Sequence, residues 1–139
     1  MDENMVFPPV GEDGFPPCCP PTDAVDADGV VYRATISDPP VENDFSSQHE
    51  LGLRPSLKSS WPQKCSMRAV SVYRTLRDAQ HHLNTFQKYK FIAVGVLTPG
   101  SGKAKLAAHN DRPTHSNWWC YVEFNQDKRL KLFKTYQVA

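Results

Sequence analysis

The densest chemistry in the chain lies in the loop His109-Asn110-Asp111-Arg112-Pro113-Thr114-His115-Ser116-Asn117, which runs on into Trp118-Trp119. Two imidazoles, a carboxylate and a guanidinium on one polar loop form a natural ligand-binding set, because loops anchored on strands often carry binding groups. His109, Asp111 and His115 are also of metal-ligand type. Their spacing matches no closed zinc signature, so no metal is expected. Arg33 is the second candidate. It interrupts an apolar strand, and a guanidinium projecting from a strand can hold a phosphate or carboxylate through two parallel bonds. Ser71 and Tyr73 share one face of another strand. Trp119 and Tyr121 add large rings of the kind that, with arginine, dominates binding hot spots. These residues together predict a non-catalytic binding module recognising a protein or a small anionic ligand.

Positioning them falls to an α+β domain over 29–139, preceded by an acidic, proline-rich arm over 1–28. Six of the twelve prolines stand in that arm as three pairs, and proline cannot donate to a ladder. Extended chain is expected there, with Val6, Phe7 and Phe15 touching the domain. Gly29–Thr35 follows an Asp-Gly turn signal and reads as a strand, with Val31, Arg33 and Thr35 on one face and Tyr32 and Ala34 on the other. Pro39-Pro40 opens a short helix over 41–51 with Asp38 as its cap. Residues 53–67, rich in serine and proline, read as a loop anchored by Trp61. Ala69–Tyr73 is a strand. Thr75 caps the best helix, with Asp78 three residues on and Leu76, Ala79, Leu83 and Phe86 at spacings of three and four. On it the His81-His82 doublet reads as solvated surface. Phe91–Leu97 reads as a central strand buried on both faces, and Lys103–Ala107 as a short one. Trp118–Phe124 alternates, with Trp118 and Cys120 on one face and Trp119, Tyr121 and Glu123 on the other. Asn125–Lys128 then turns into a hairpin whose return strand is Arg129–Val138. The fold class is therefore α+β, a mainly antiparallel twisted sheet carrying one or two helices.

The net charge of +1 hides an asymmetry: residues 1–30 carry −7 and the remainder +8. A body of that sign attracts polyanions or an acidic partner, and the acidic arm is itself placed to screen it. Nucleic acid is one possible partner, through Lys103, Lys105, Lys128, Arg129, Lys131 and Lys134 beside exposed aromatics. The longest apolar run has seven residues and includes a glycine, too short to span a bilayer. The start, Met1-Asp2-Glu3, carries no secretory pattern, so a reducing cytoplasm is the expected compartment. Of the four cysteines, Cys18 and Cys19 are adjacent, an arrangement that suits neither an ordinary disulfide nor zinc. Cys65 and Cys120 read as buried thiols.

One family shares this order of residues. Arg33 in a Tyr-Arg strand, Ser71 in Ser-Val-Tyr-Arg-Thr before a helix, and the later Glu123 resemble the Arg…Ser…Glu order of ADP-ribosyltransferase-like domains over about residues 29–124. The resemblance implies an NAD-using enzyme or toxin. In it Arg33 would contact the dinucleotide, the Ser71 strand would shape the nicotinamide pocket and Glu123 would stabilise the ribosyl cation. The chain lacks that family's Ser-Thr-Ser run, and Tyr121 stands where a second acid is common. A cation-like transition state does need a nearby carboxylate, and flat rings suit aromatic walls. Without the resemblance no cofactor is expected.

Overall fold

The computed structural model describes residues 5–56 and 58–137. Val138, the expected end of the last strand, lies outside them, as do Asp2 and Glu3 of the acidic arm. Seven strands form one open antiparallel sheet: β1 (Val25–Asp26), β2 (Gly29–Thr35), β3 (Val70–Tyr73), β4 (Phe91–Leu97), β5 (Gly102–Leu106), β6 (His115–Cys120) and β7 (Phe133–Thr135). Their spatial order is β1-β5-β6-β3-β2-β4-β7, which puts β3 in the middle. With helices α1 (Trp61–Ser66), α2 (Leu76–Thr85) and α3 (Gln126–Leu130), the fold is α+β, as the sequence predicts.

Period-two alternation divides the sheet into two faces. On one face Val31, Val70, Val72, Ala93, Leu97, Trp118 and Phe133 make the main core. Phe45 closes it, with Phe124, Leu130 and Leu132 packed around. Gly95 is needed here, since a Cβ would sit 2.6 Å from Leu132 O and 2.7 Å from the Phe133 ring. The opposite face carries two smaller cores. Tyr73, Ala79 and Ile92 pack with Leu76 and Leu83 of α2. Trp119, Cys65 and Ala69 pack with Phe15 and Ala24 from the N-terminal segment.

Four local expectations change. The helix over 41–51 shrinks to a single 3₁₀ turn, Glu42–Phe45. Buried Asp44 accepts from the main-chain N–H groups of Ile36 and Val41, and such side-chain bonds compete with helix propagation. Asp38 caps nothing there; it accepts from Thr135 Oγ1. The expected loop over 53–67 contains α1, because Ser60 stands at its N-cap, Gln63 Oε1 accepts from Ser60 N, and Pro62 is tolerated in a first turn. The expected C-terminal hairpin is instead α3, capped by the Asn125 side chain accepting from Lys128 N. β7 then crosses the molecule to pair with β4. Finally, β4 lies inside the sheet but off its centre, with Phe91 and Val96 exposed.

The N-terminal segment lies on the sheet. β1 pairs with β5, Val122 N donates to Val6 O, and Asp23 and Asp26 form ion pairs with Lys105 and Lys103. Arg68 ties the segment down by donating from Nε to Gly14 O. Cys19 is bonded to Cys65, 46 residues on, with Cα atoms 5.6 Å apart. This corrects the reading of Cys65 as a free thiol and of Cys19 as unsuited to a disulfide. Adjacency bars a bond between Cys18 and Cys19, not one from either to a distant partner. No described helix is long and apolar enough to cross a membrane.

Candidate functional site

β3 presents Ser71 and Tyr73 to the helix-bearing face, and its antiparallel neighbour β6 sets Asn117 opposite Ser71 and His115 opposite Tyr73. Between α1 and the segment 107–109 this patch stays uncovered. The result is an open cleft of about 530 Å³, lined by Ser71, His109, His115, Asn117, Gln63 and Ser66 among others. On its floor His115 Nε2 lies 3.0 Å from Ser71 Oγ, and His115 Nδ1 lies 2.8 Å from Ala107 O. A carbonyl only accepts, so Nδ1 carries the proton and Nε2 of the neutral ring accepts from the Ser71 hydroxyl. Burial lowers the His115 pKa below its ordinary value. The Ala107 bond opposes this, and the positive fields of His109, Arg112 and Arg33 add to it. The ring is therefore neutral at pH 7.

The loop from 107 to 115 is held from below. Asp78 of α2, itself buried, accepts from Thr114 N at 2.8 Å and from the Thr114 hydroxyl. Arg112 points inward, donating from Nη1 to His82 Nδ1 at 2.6 Å and from Nη2 to His109 Nδ1 at 3.2 Å. His109 stacks on His115 with ring centroids 4.1 Å apart. Burial, reinforced by the Arg112 charge, pushes His82 down to about 4. The expected solvated doublet is thus split: His81 is exposed and pairs with Asp111 at 3.0 Å, while His82 is a half-buried acceptor beneath Arg112. Asp78→Ala leaves two donors of Thr114 without their acceptor. We expect a loss of about 1–3 kcal/mol in urea unfolding, with the loop freed.

The sequence-selected residues separate into four places. Ser71, His109 and His115 meet in the cleft, with Tyr73 and Arg112 directly behind them. Arg33 points to the other face of the sheet. There it donates from Nε to Asp44 O and from Nη1 to Ser71 O, each at 2.6 Å. β2 and β3 share only the Tyr32–Tyr73 pair, and the guanidinium bridges the gap beyond it. Trp119 and Tyr121 are buried, not presented: Trp119 Nε1 donates to Cys65 O, and Tyr121 packs on Phe7 at 4.7 Å. Glu123 is exposed in the turn after β6 and does not line the cleft. The strand alternation sorted the indoles correctly onto opposite faces. Each indole, however, is buried, so no shared hollow joins them to Arg33.

The sequence places Asn117 in the polar 109–117 loop rather than on a strand, and Gln63 escapes the sequence reading altogether. Beginning the β6 alternation at His115 would have placed Asn117 beside Trp119's face, and the Ser60–Gln63 spacing would have exposed α1. A second cavity of about 410 Å³ lies under the N-terminal segment, against Glu50, Arg129 and Cys120. There Glu50 and Arg129 are paired with each other, and burial raises the Cys120 thiol to about 12, so it offers no nucleophile at neutral pH. Among the described residues no group of three or more His, Cys, Asp or Glu is placed to hold a metal ion. Asp111, the carboxylate of the expected ligand set, turns instead to His81. Compared with known protein families, curated proteins and solved structures, the chain matches none.

Proposed function

We propose that the protein is a small binding module whose site is the cleft over β3 and β6, and that its ligand presents a carbonyl or carboxylate oxygen. One observation carries this reading. The Asn117 side-chain amide faces the cleft and makes no protein hydrogen bond among the described residues, beside a Ser71–His115 pair whose bonds are fully assigned. That amide is open to solvent through the cleft, so it is free to bond a ligand oxygen in place of water. The cleft volume falls in the usual range for small-molecule sites, and its lining combines neutral donors with little charge.

Neither alternative gains a comparable support. Two of the basic residues expected to meet nucleic acid, Lys103 and Lys105, are paired with the chain's own Asp26 and Asp23. The transferase-like arrangement needs Arg33, Ser71 and Glu123 around one ligand, and Arg33 turns to the opposite face. The paired Cys19 and Cys65 favour an oxidising setting over the cytoplasm.

The test is backbone-amide NMR with acetamide and acetate as probes at millimolar concentration. Shifts should gather at Ser71, His109, His115 and Asn117, and Asn117→Leu should abolish them without unfolding the protein. Shifts gathered under the N-terminal segment, or spread over the surface, would overturn the reading.

A further inference from the structure

We propose that Ser71 and His115 form a nucleophile–base pair that cleaves small acyl esters in this cleft, an inference that rests on the cleft being the ligand site. Three geometric facts carry it. The hydroxyl and the imidazole are at hydrogen-bond distance, 3.0 Å, with Nε2 as the accepting atom. The tautomer that makes Nε2 a base is imposed by Ala107 O on Nδ1, the position an orienting carboxylate takes in related devices. Both reacting side chains line an open cleft of about 530 Å³, with Asn117 in ladder register opposite Ser71. A hydrogen-bonded Ser–His pair sealed in a core would be structural; this one opens on space that a substrate can enter.

The reaction closes without a co-reactant other than water. Ser71 Oγ attacks the ester carbonyl carbon as His115 Nε2 takes its proton. The oxyanion develops beside the Asn117 amide, which is free to donate to it. Collapse breaks the bond to the alkoxy oxygen, and His115 returns the proton to the departing alcohol. Water then attacks the acyl-Ser71 carbonyl while His115 accepts its proton. The acid leaves, and Oγ recovers hydrogen from Nε2. A backbone carbonyl orients the ring but supplies no countercharge to the imidazolium. Activated esters with small acyl groups are therefore the substrate class.

The test uses the full chain with p-nitrophenyl acetate and with a fluorophosphonate, followed by intact and peptide mass spectrometry. We expect one adduct per chain, on Ser71, none in Ser71→Ala, and a fall of about 100-fold or more in acylation rate in His115→Gln. The rate should decline on acidification as His115 protonates, with a midpoint below that of an ordinary imidazole. Because His115→Gln can disturb the loop, Asn117→Ala serves as a second probe and should slow acylation at least tenfold while melting normally. No adduct, an adduct on surface lysines that persists in Ser71→Ala, or a rate indifferent to both His115→Gln and Asn117→Ala would overturn the proposal. If acetamide still shifts the cleft amides in those cases, the ligand site stands and only the chemistry falls. If it does not, both fall.

Discussion

Arg129→Ala is expected to lower the unfolding free energy by about 3–5 kcal/mol, a large share of the 5–15 kcal/mol typical of a domain. Arg129 lies on α3 with its side chain 7% exposed, and Nη1 and Nη2 reach the two Glu50 carboxylate oxygens at 2.7 and 3.1 Å. It also donates to Phe45 O and Phe124 O, each at 2.9 Å. One side chain thereby joins the 3₁₀ turn, the segment after it and the turn that follows β6. Truncation strips two carbonyls of this donor and leaves a half-buried carboxylate with only the Ser47 N and Gln126 Nε2 bonds and no countercharge. That cost, not the net worth of the ion pair, is what the substitution measures. Urea unfolding at pH 7 reads it directly, and a change under 1 kcal/mol would contradict the arrangement. The pair also predicts an acid response. Burial alone would raise Glu50, but the bonds and charge of Arg129, with the Ser47 bonds, outweigh it and leave the carboxyl lowered. The unfolded chain therefore binds this proton first. Stability from Glu50 is fully present above about pH 4.5 and is lost as pH falls through the lowered folded value. Glu50→Gln should flatten the stability profile in that window and nowhere else.

Severing the Cys19–Cys65 bond is expected to cost about 2–4 kcal/mol. For a link spanning 46 residues the chain-entropy account gives a ceiling of about 4 kcal/mol at 25 °C. The loss has a structural address. The bond fastens the N-terminal segment to α1, and Cys65 sits in the small core with Phe15, Ala24 and Trp119. Trp119 Nε1 donates to Cys65 O, and Trp61 Nε1 donates to Pro17 O, so two indoles report on the same contact. Cys19→Ser with Cys65→Ser, or reduction of the native chain, should lower the melting temperature, shift tryptophan emission to the red and open the first 28 residues to protease. Cys18→Ser should do none of these, because Cys18 is exposed and unbonded. Iodoacetamide should label Cys18 quickly and leave Cys120 untouched until unfolding, given its burial. Peptide mapping without reductant that finds Cys19 and Cys65 unlinked would remove the basis of this prediction.

Local chemistry made much of this fold legible from the sequence. Thr75 and Asp78 with apolar residues every three or four positions specify α2, and the Thr75 side chain indeed accepts from Asp78 N. β-branched and aromatic runs specify β2, β3 and β4, and alternation alone puts Trp118 and Trp119 on opposite faces. These signals act over a few residues, where propensity and periodicity operate. The remaining features required partners far along the chain. Whether Trp119 is a docking ring or a core ring depends on Phe15 and Cys65, and alternation says nothing about what covers a face. Arg33 looks like an anion hook until Asp44 and Ser71 present their carbonyls to it. Asn125 reads equally as a hairpin turn or a helix cap, and only the pairing of β7 with β4 selects the cap. The Ser71–His115 contact joins residues 44 apart. Each came individually from the sequence reading, but only the antiparallel register of β3 and β6 brings hydroxyl and imidazole together, because a contact between strands is set by sheet order, which no local pattern encodes.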